Sequence, residues 1–144
     1  MDKFKKGAVL ITGTTSGVGL NTLKPLIEFG WDIIAVNRSS KRAIDEANKI
    51  LKNNEIESIN FIEIDLSDLN SVRDGAKEIA TRFGNVLKVL ICNAAVYKPR
   101  LKRAERSSQG FENSMAVNHF GHFLLINLLL ESCLLYTSDA ADDP

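Results

Sequence analysis

Apolar and polar positions fall into blocks of two lengths along this chain. Short apolar-rich runs lie at residues 8–12, 32–37, 58–64 and 86–92. Each fits a strand, and the continuous apolar run at 8–12 fits a strand buried on both faces. Longer segments between them place apolar residues at helical spacing. Residues 17–29 carry Val18, Leu23, Leu26 and Ile27 and stop at Gly30, with Pro25 predicting a kink. Residues 41–53 alternate charge with Ala43, Ala47, Ile50 and Leu51, which predicts a half-buried helix. Ser67 or Asp68 is placed to cap the next helix, which carries Val72, Ala76, Ile79 and Phe83 before Gly84. A polar, basic loop at 97–108 precedes a long helical stretch at 110–130. The alternation of strands and helices predicts an α/β fold with a doubly wound parallel sheet, because parallel neighbours need helical crossovers.

The junction of the first strand and first helix carries the clearest chemistry. It reads Thr12-Gly13-x-x-x-Gly17-x-Gly19. A strand that runs into a glycine-rich turn and then a helix can hold a dinucleotide pyrophosphate on backbone amides and the positive helix end. Thr14, Thr15 and Ser16 add hydroxyl donors. The sheet is therefore expected to be Rossmann-like, truncated after about four strands. The second strand ends Val36-Asn37-Arg38, with Lys41 and Arg42 following. An enzyme selective for NAD usually has a carboxylate there for the ribose 2′-hydroxyl. Arg38 can instead bind a 2′-phosphate bidentately, so the expected cofactor is NADPH; the other reading leaves Arg38 in a solvated loop.

Further candidates follow at later strand ends. Asp65 can accept from an adenine amino group while Leu66 packs on the ring, or Asp65 can cap the helix after it. Cys92-Asn93-Ala94-Ala95 closes the fourth strand. Small residues there let backbone approach a ligand, and Asn93 can lock the turn to neighbouring strands. Asn118 lies on a largely apolar helix, where a buried amide must find partners. It is either a structural bridge or a link in a proton relay. His119 and His122 could form a metal pair, but no carboxylate or Cys nearby completes a ligand set, so packing against the sheet is expected and no metal is assigned. Lys98, Arg100, Lys102, Arg103 and Arg106 make a basic loop that either steers an acidic substrate or is simply solvated.

Bulk properties narrow the rest. The 144 residues are 44% hydrophobic and 25% charged, which fits one soluble domain. A formal net charge of +0 argues against broad nucleic-acid binding. Cys92 reads as a buried thiol, two cysteines make no disulfide framework, and no run is long enough for a signal-peptide core or membrane span. A cytoplasmic protein is expected, with a homo-oligomer left open. The final stretch, Cys133-Leu-Leu-Tyr-Thr-Ser-Asp-Ala-Ala-Asp142-Asp-Pro, resembles the in-frame translation of a transposon end used in sequencing adapters. Residues 1–132 are thus expected to be the N-terminal part of an NADP-binding domain, and residues 133–144 a non-native tail.

Taken together, Thr12-Gly13-x-x-x-Gly17-x-Gly19, Asp65, Asn93-Ala94-Ala95 and Asn118 resemble the short-chain dehydrogenase/reductase superfamily. Within it, Cys92-Asn-Ala-Ala-Val-Tyr97 with Pro99, Gly110-Phe-Glu-x-Ser114 and Asn118-His-x-Gly-His-Phe-Leu-Leu125 resemble the light-dependent protochlorophyllide oxidoreductases. That resemblance implies light-driven hydride transfer from NADPH to protochlorophyllide; a light-independent member acting on a lipophilic alcohol or ketone is the alternative. It further implies that Gly13, Ser16, Gly17, Val18 and Gly19 hold the pyrophosphate, and that Arg38 with Lys41 holds the 2′-phosphate. Asp65 and Leu66 would take the adenine, Asn93 and Ala94 the adjoining ribose. Tyr97 would lie near the substrate, and Asn118 would be the catalytic relay Asn. The family's Tyr-x-x-x-Lys pair is absent: Leu101 stands four after Tyr97, and Ala140 four after Tyr136.

Overall fold

The computed structural model describes residues 4–100 and 103–139, with side chains up to residue 130. Four strands, β1 (Ala8–Thr12), β2 (Asp32–Asn37), β3 (Ile59–Glu63) and β4 (Leu87–Ile91), form one sheet in the order β3-β2-β1-β4. Every pairing is parallel. α1 (Gly17–Glu28), α2 (Ser40–Asn48) and α3 (Asn53–Ile56) carry the chain outward through β2 to β3. α4 (Leu69–Phe83) then brings it back across β1 to β4. After α5 (Asn113–Met115), a π-helical turn at Ala116–Gly121 leads into α6 (His122–Asp139).

The strand sequences explain the two-sided cover. Alternate residues of a strand face opposite sides of a sheet. Leu10, Ile34, Val36 and Ile62 pack with Val72, Ala76, Ile79 and Phe83 of α4 and with Leu125 and Leu129 of α6. Ile11, Ile33, Ala35 and Ile59 pack on the other side with Leu20 and Leu23 of α1, and with Ala47 and Leu51 beyond. All residues of β1 and β2 are buried, which accounts for the apolar interiors of both strands.

Two local expectations are corrected. The helix expected at 41–53 stops at Asn48, and α3 begins separately at Asn53. The Lys52 amide donates to the Glu55 carboxylate, so the chain restarts with its own cap. α1 runs through Pro25; that residue and Asn21, whose carbonyl it deprives of a donor, are both exposed, so water can serve instead. Cys92 is exposed rather than buried, because β4 ends at Ile91 before reaching it.

Leu10 is fully buried on the central strand. Leu10→Ala is expected to lower stability by about 2–5 kcal/mol through lost apolar burial and the cavity left behind. A urea midpoint within error of the parent would contradict this packing.

Candidate functional site

Strand order reverses between β1 and β4. A crevice of about 510 Å³ opens at that point, running from the turn after β1 to the ends of β2 and β3. Such switch points are where open parallel sheets bind ligands.

The floor is the glycine turn. Gly13 adopts φ +76°, and a Cβ on it would lie 2.7 Å from the Ala94 Cα, so a side chain is excluded twice over. A Cβ on Gly19 would collide with the Gly13 carbonyl oxygen and the Asn93 amide. The start of α1 can therefore sit directly against the turn. Ser16 is the N-cap of α1 but makes no side-chain cap bond, which leaves the first-turn amides facing the crevice.

Side chains from three strand ends hold this floor. The Asn93 amide donates to the Thr12 and Gly13 carbonyls, each at 3.0 Å, as expected for a residue locking the turn. Asn37 accepts from the Thr14 amide at 2.7 Å and donates to the Thr14 hydroxyl at 2.8 Å. The buried Thr12 hydroxyl accepts from the Asn93 and Ala94 amides, both at 3.0 Å, and lies 2.8 Å from His122 Nε2.

The rest of the crevice sorts the expected residues. Gly13, Ser16, Val18, Gly19, Arg38, Asp65, Leu66, Asn93 and Ala94 all line it. Gly17 lies between lining residues Ser16 and Val18. Lys41 is exposed and off the wall; Arg42, one residue on, lines it instead. Asp65 is the only carboxylate among the described lining residues. It does not cap α4. Its carboxylate accepts from the Ser67 amide and hydroxyl, while Asp68 accepts from the Asn70 amide as the helix cap.

Tyr97 is 85% exposed and stands outside the lining. Asn118 is exposed, not buried, because it turns toward the loop after β4. There its amide accepts from the Val96 N–H at 2.7 Å and donates to the Val96 carbonyl at 2.9 Å. This is the bridging geometry, and it fixes the far wall, where Val96 and Val117 line the crevice. Of the two histidines, His119 is exposed, and only His122 packs inward. Among the described residues no cluster of metal-ligating side chains occurs. Asn37 and His122 are the site residues that sequence reasoning did not assign. The signal for Asn37, a polar residue closing an otherwise apolar strand, was present in the sequence.

With the crevice and its lining in view, comparison with known proteins is decisive for the class. Residues 7–139 match the family model described as short chain dehydrogenase, and the chain belongs to that family. It is 43% identical over 132 residues to the chloroplastic protochlorophyllide reductase of Cucumis sativus, covering 89% of this chain and 32% of the relative. The chloroplastic protochlorophyllide reductase of Chlamydomonas reinhardtii is 38% identical over 143 residues, covering 90% of this chain and 35% of the relative. The chain thus spans about a third of the length of these relatives. An uncharacterised protein from Mycobacterium paratuberculosis shares the fold with TM-score 0.71 and 32% identity, over 90% of this chain and 44% of that one. Among the described residues no helix is long and apolar enough to cross a membrane.

Two titrating groups lie beside the site. Although Cys92 is exposed, partial desolvation by its surroundings pushes its thiol up. Burial pushes the His122 imidazole below its ordinary 6.5, against a smaller upward pull from the Asn118 carbonyl. Since the unfolded chain takes up this proton first, stability is full above pH ~6.5 and falls as pH drops toward the depressed folded value. Urea midpoints measured on either side of pH ~6.5 should show that loss in the parent and lack this part of it in His122→Gln. Equal pH dependence in the two proteins would contradict the assignment.

Proposed function

We propose that this chain is the dinucleotide-binding N-terminal part of an NADPH-dependent reductase of the protochlorophyllide type. The observation that carries the reading is the crevice itself. It joins a turn whose glycines admit close backbone approach, and an uncapped helix end, to a wall bearing Arg38 and Arg42, with no carboxylate at the end of β2. The residues fit the group: a pyrophosphate needs close backbone approach and amide donors, and a 2′-phosphate needs a cation.

In this reading Gly13, Ser16, Gly17, Val18 and Gly19 hold the pyrophosphate. Arg38 holds the 2′-phosphate, aided by Arg42 and, from outside the wall, Lys41. Asp65 accepts from the adenine amino group, Leu66 packs on the ring, and Asn93 with Ala94 positions the adjoining ribose. NADPH, when bound, supplies the hydride. Asn118 fixes the loop that borders the substrate side and offers its carbonyl to a proton relay, and Tyr97 lies near the substrate. Protochlorophyllide, after absorbing light, would accept the hydride on one carbon of its double bond and a proton on the other. The chain alone, without the Tyr-x-x-x-Lys pair, binds cofactor but does not turn over. A reducing compartment, the cytoplasm, is part of the proposal, although the named relatives are chloroplastic.

Arg38→Ala is expected to weaken NADPH binding by about 1.5–3 kcal/mol and leave NADH binding within error, because only the former presents the charged group. Equal losses for both cofactors in calorimetric titration would refute the 2′-phosphate role. Sequencing the source DNA beyond the codon for Ser132 should replace residues 133–144 with further strands, a Ser and a Tyr-x-x-x-Lys pair. The longer product should reduce protochlorophyllide with NADPH in light and not in darkness. Equal turnover of a lipophilic ketone in light and darkness would favour the light-independent alternative.

A further inference from the structure

We infer that His122 is a positioning residue of this crevice: as a neutral imidazole protonated on Nδ1, it fixes the Thr12 hydroxyl and, through it, the Asn93 and Ala94 amides. Hydrogen-bond accounting selects this state. A hydroxyl has one proton to donate and two lone pairs to accept with. The two lone pairs of Thr12 are taken by the Asn93 and Ala94 amides. Its proton must then go to its third neighbour, His122 Nε2 at 2.8 Å. Nε2 is therefore bare, and the ring proton sits on Nδ1.

The opposite side of the ring gives the same answer independently. Nδ1 lies 3.3 Å from the Asn118 carbonyl oxygen, which can only accept. A ring protonated on Nε2 would set two lone pairs against each other there and three donors against one hydroxyl oxygen at Thr12. The imidazolium fails at Thr12 for the same reason.

One ring thus ties the end of β1, the loop after β4 and the π-helical turn. The consequence for a ligand follows from the packing of Ala94. It already lies as close to Gly13 as a residue can, since a Cβ on Gly13 would meet the Ala94 Cα at 2.7 Å. Released from Thr12, it can shift only away from the turn, and Asn93, Ala94 and Ala95 all line the crevice. His122 bears on a cofactor only if the crevice is the dinucleotide site proposed above. Its tautomer and the protection of the two amides do not depend on that.

The test uses the 144-residue chain. Long-range proton–nitrogen NMR of the parent near neutral pH should show His122 protonated on Nδ1 alone; an Nε2-protonated ring or an imidazolium would overturn the inference. In His122→Phe, which fills the space without an acceptor, the Ala94 amide should exchange about tenfold faster, the Asn93 amide less so because it also donates to the Ile91 carbonyl, and NADPH should bind about tenfold more weakly. His122→Gln, which restores an acceptor within reach of Thr12, should stay within about threefold of the parent on both readouts. Parent-like behaviour of the Phe variant, or equal damage from Gln and Phe, would also overturn it. Should the Phe variant fail to fold, the tautomer and the Gln variant still decide. A parent chain with the expected tautomer and amide protection that binds no NADPH would sink the dinucleotide reading and leave the hold of His122 on the amides standing.

Discussion

The turn after β1 presents its backbone to the crevice, so side chains have to hold it from beneath. A sheet ladder ends where its strands diverge, and beyond that point each buried amide or carbonyl needs another partner. Asn37, Asn93 and Thr12 supply those partners from the ends of β2, β4 and β1. Each bond spans two strands, so the turn, the crevice and the carboxyl edge of the sheet share one polar frame. Low local dielectric strengthens such bonds when complete and makes any missing member costly.

That frame divides the crevice by chemistry. At the β2 side, cationic groups on Arg38 and Arg42 stand on the wall, with Asp65 after β3 its one carboxylate among the described residues. At the β4 side, the wall is small and uncharged, made by Ala94, Ala95 and Val96 and braced by Asn118. A ligand with an anionic end and a flat apolar end can lie along it in one direction only. Direction of binding is thus set by the protein before any contact specific to a substrate.

Legibility in the sequence followed how local each cause was. β1 and β2 could be bounded from their residues because both faces are buried, so their interiors are apolar and Thr12, Asp32 and Asn37 stand only at their ends. The glycine turn, Arg38, Asp65, Leu66 and Asn93 could be placed because each sits at a strand end, and parallel strands bring those ends together. Other features depended on partners far along the chain. The break after Asn48 was hidden because Ile50 and Leu51 continue the helical spacing. Lys41 and Arg42 differ only in the phase of α2, which its packing decides. The π-helical turn at Ala116–Gly121 leaves no mark in apolar periodicity. His122 read as packing because its partner, Thr12, lies 110 residues earlier. Cys92 read as buried because strand-like sequence continues one residue past the strand.

The position of β1 in the sheet also orders the assembly of the molecule. β1 is synthesised first yet lies inside, with β2 on one flank and β4 on the other. Its pairing with β2 closes a short stretch of chain, whereas pairing with β4 joins Ala8 to Leu87. Loop closure favours the nearer partner, and distant parallel pairing comes late. On the ribosome, the half of the crevice built on β2 can form while α4 and β4 are still being made. The wall at Asn93 and Ala94 cannot form until the later residues emerge, so a nascent chain has the turn braced from β2 by Asn37 before Asn93 arrives to complete its support.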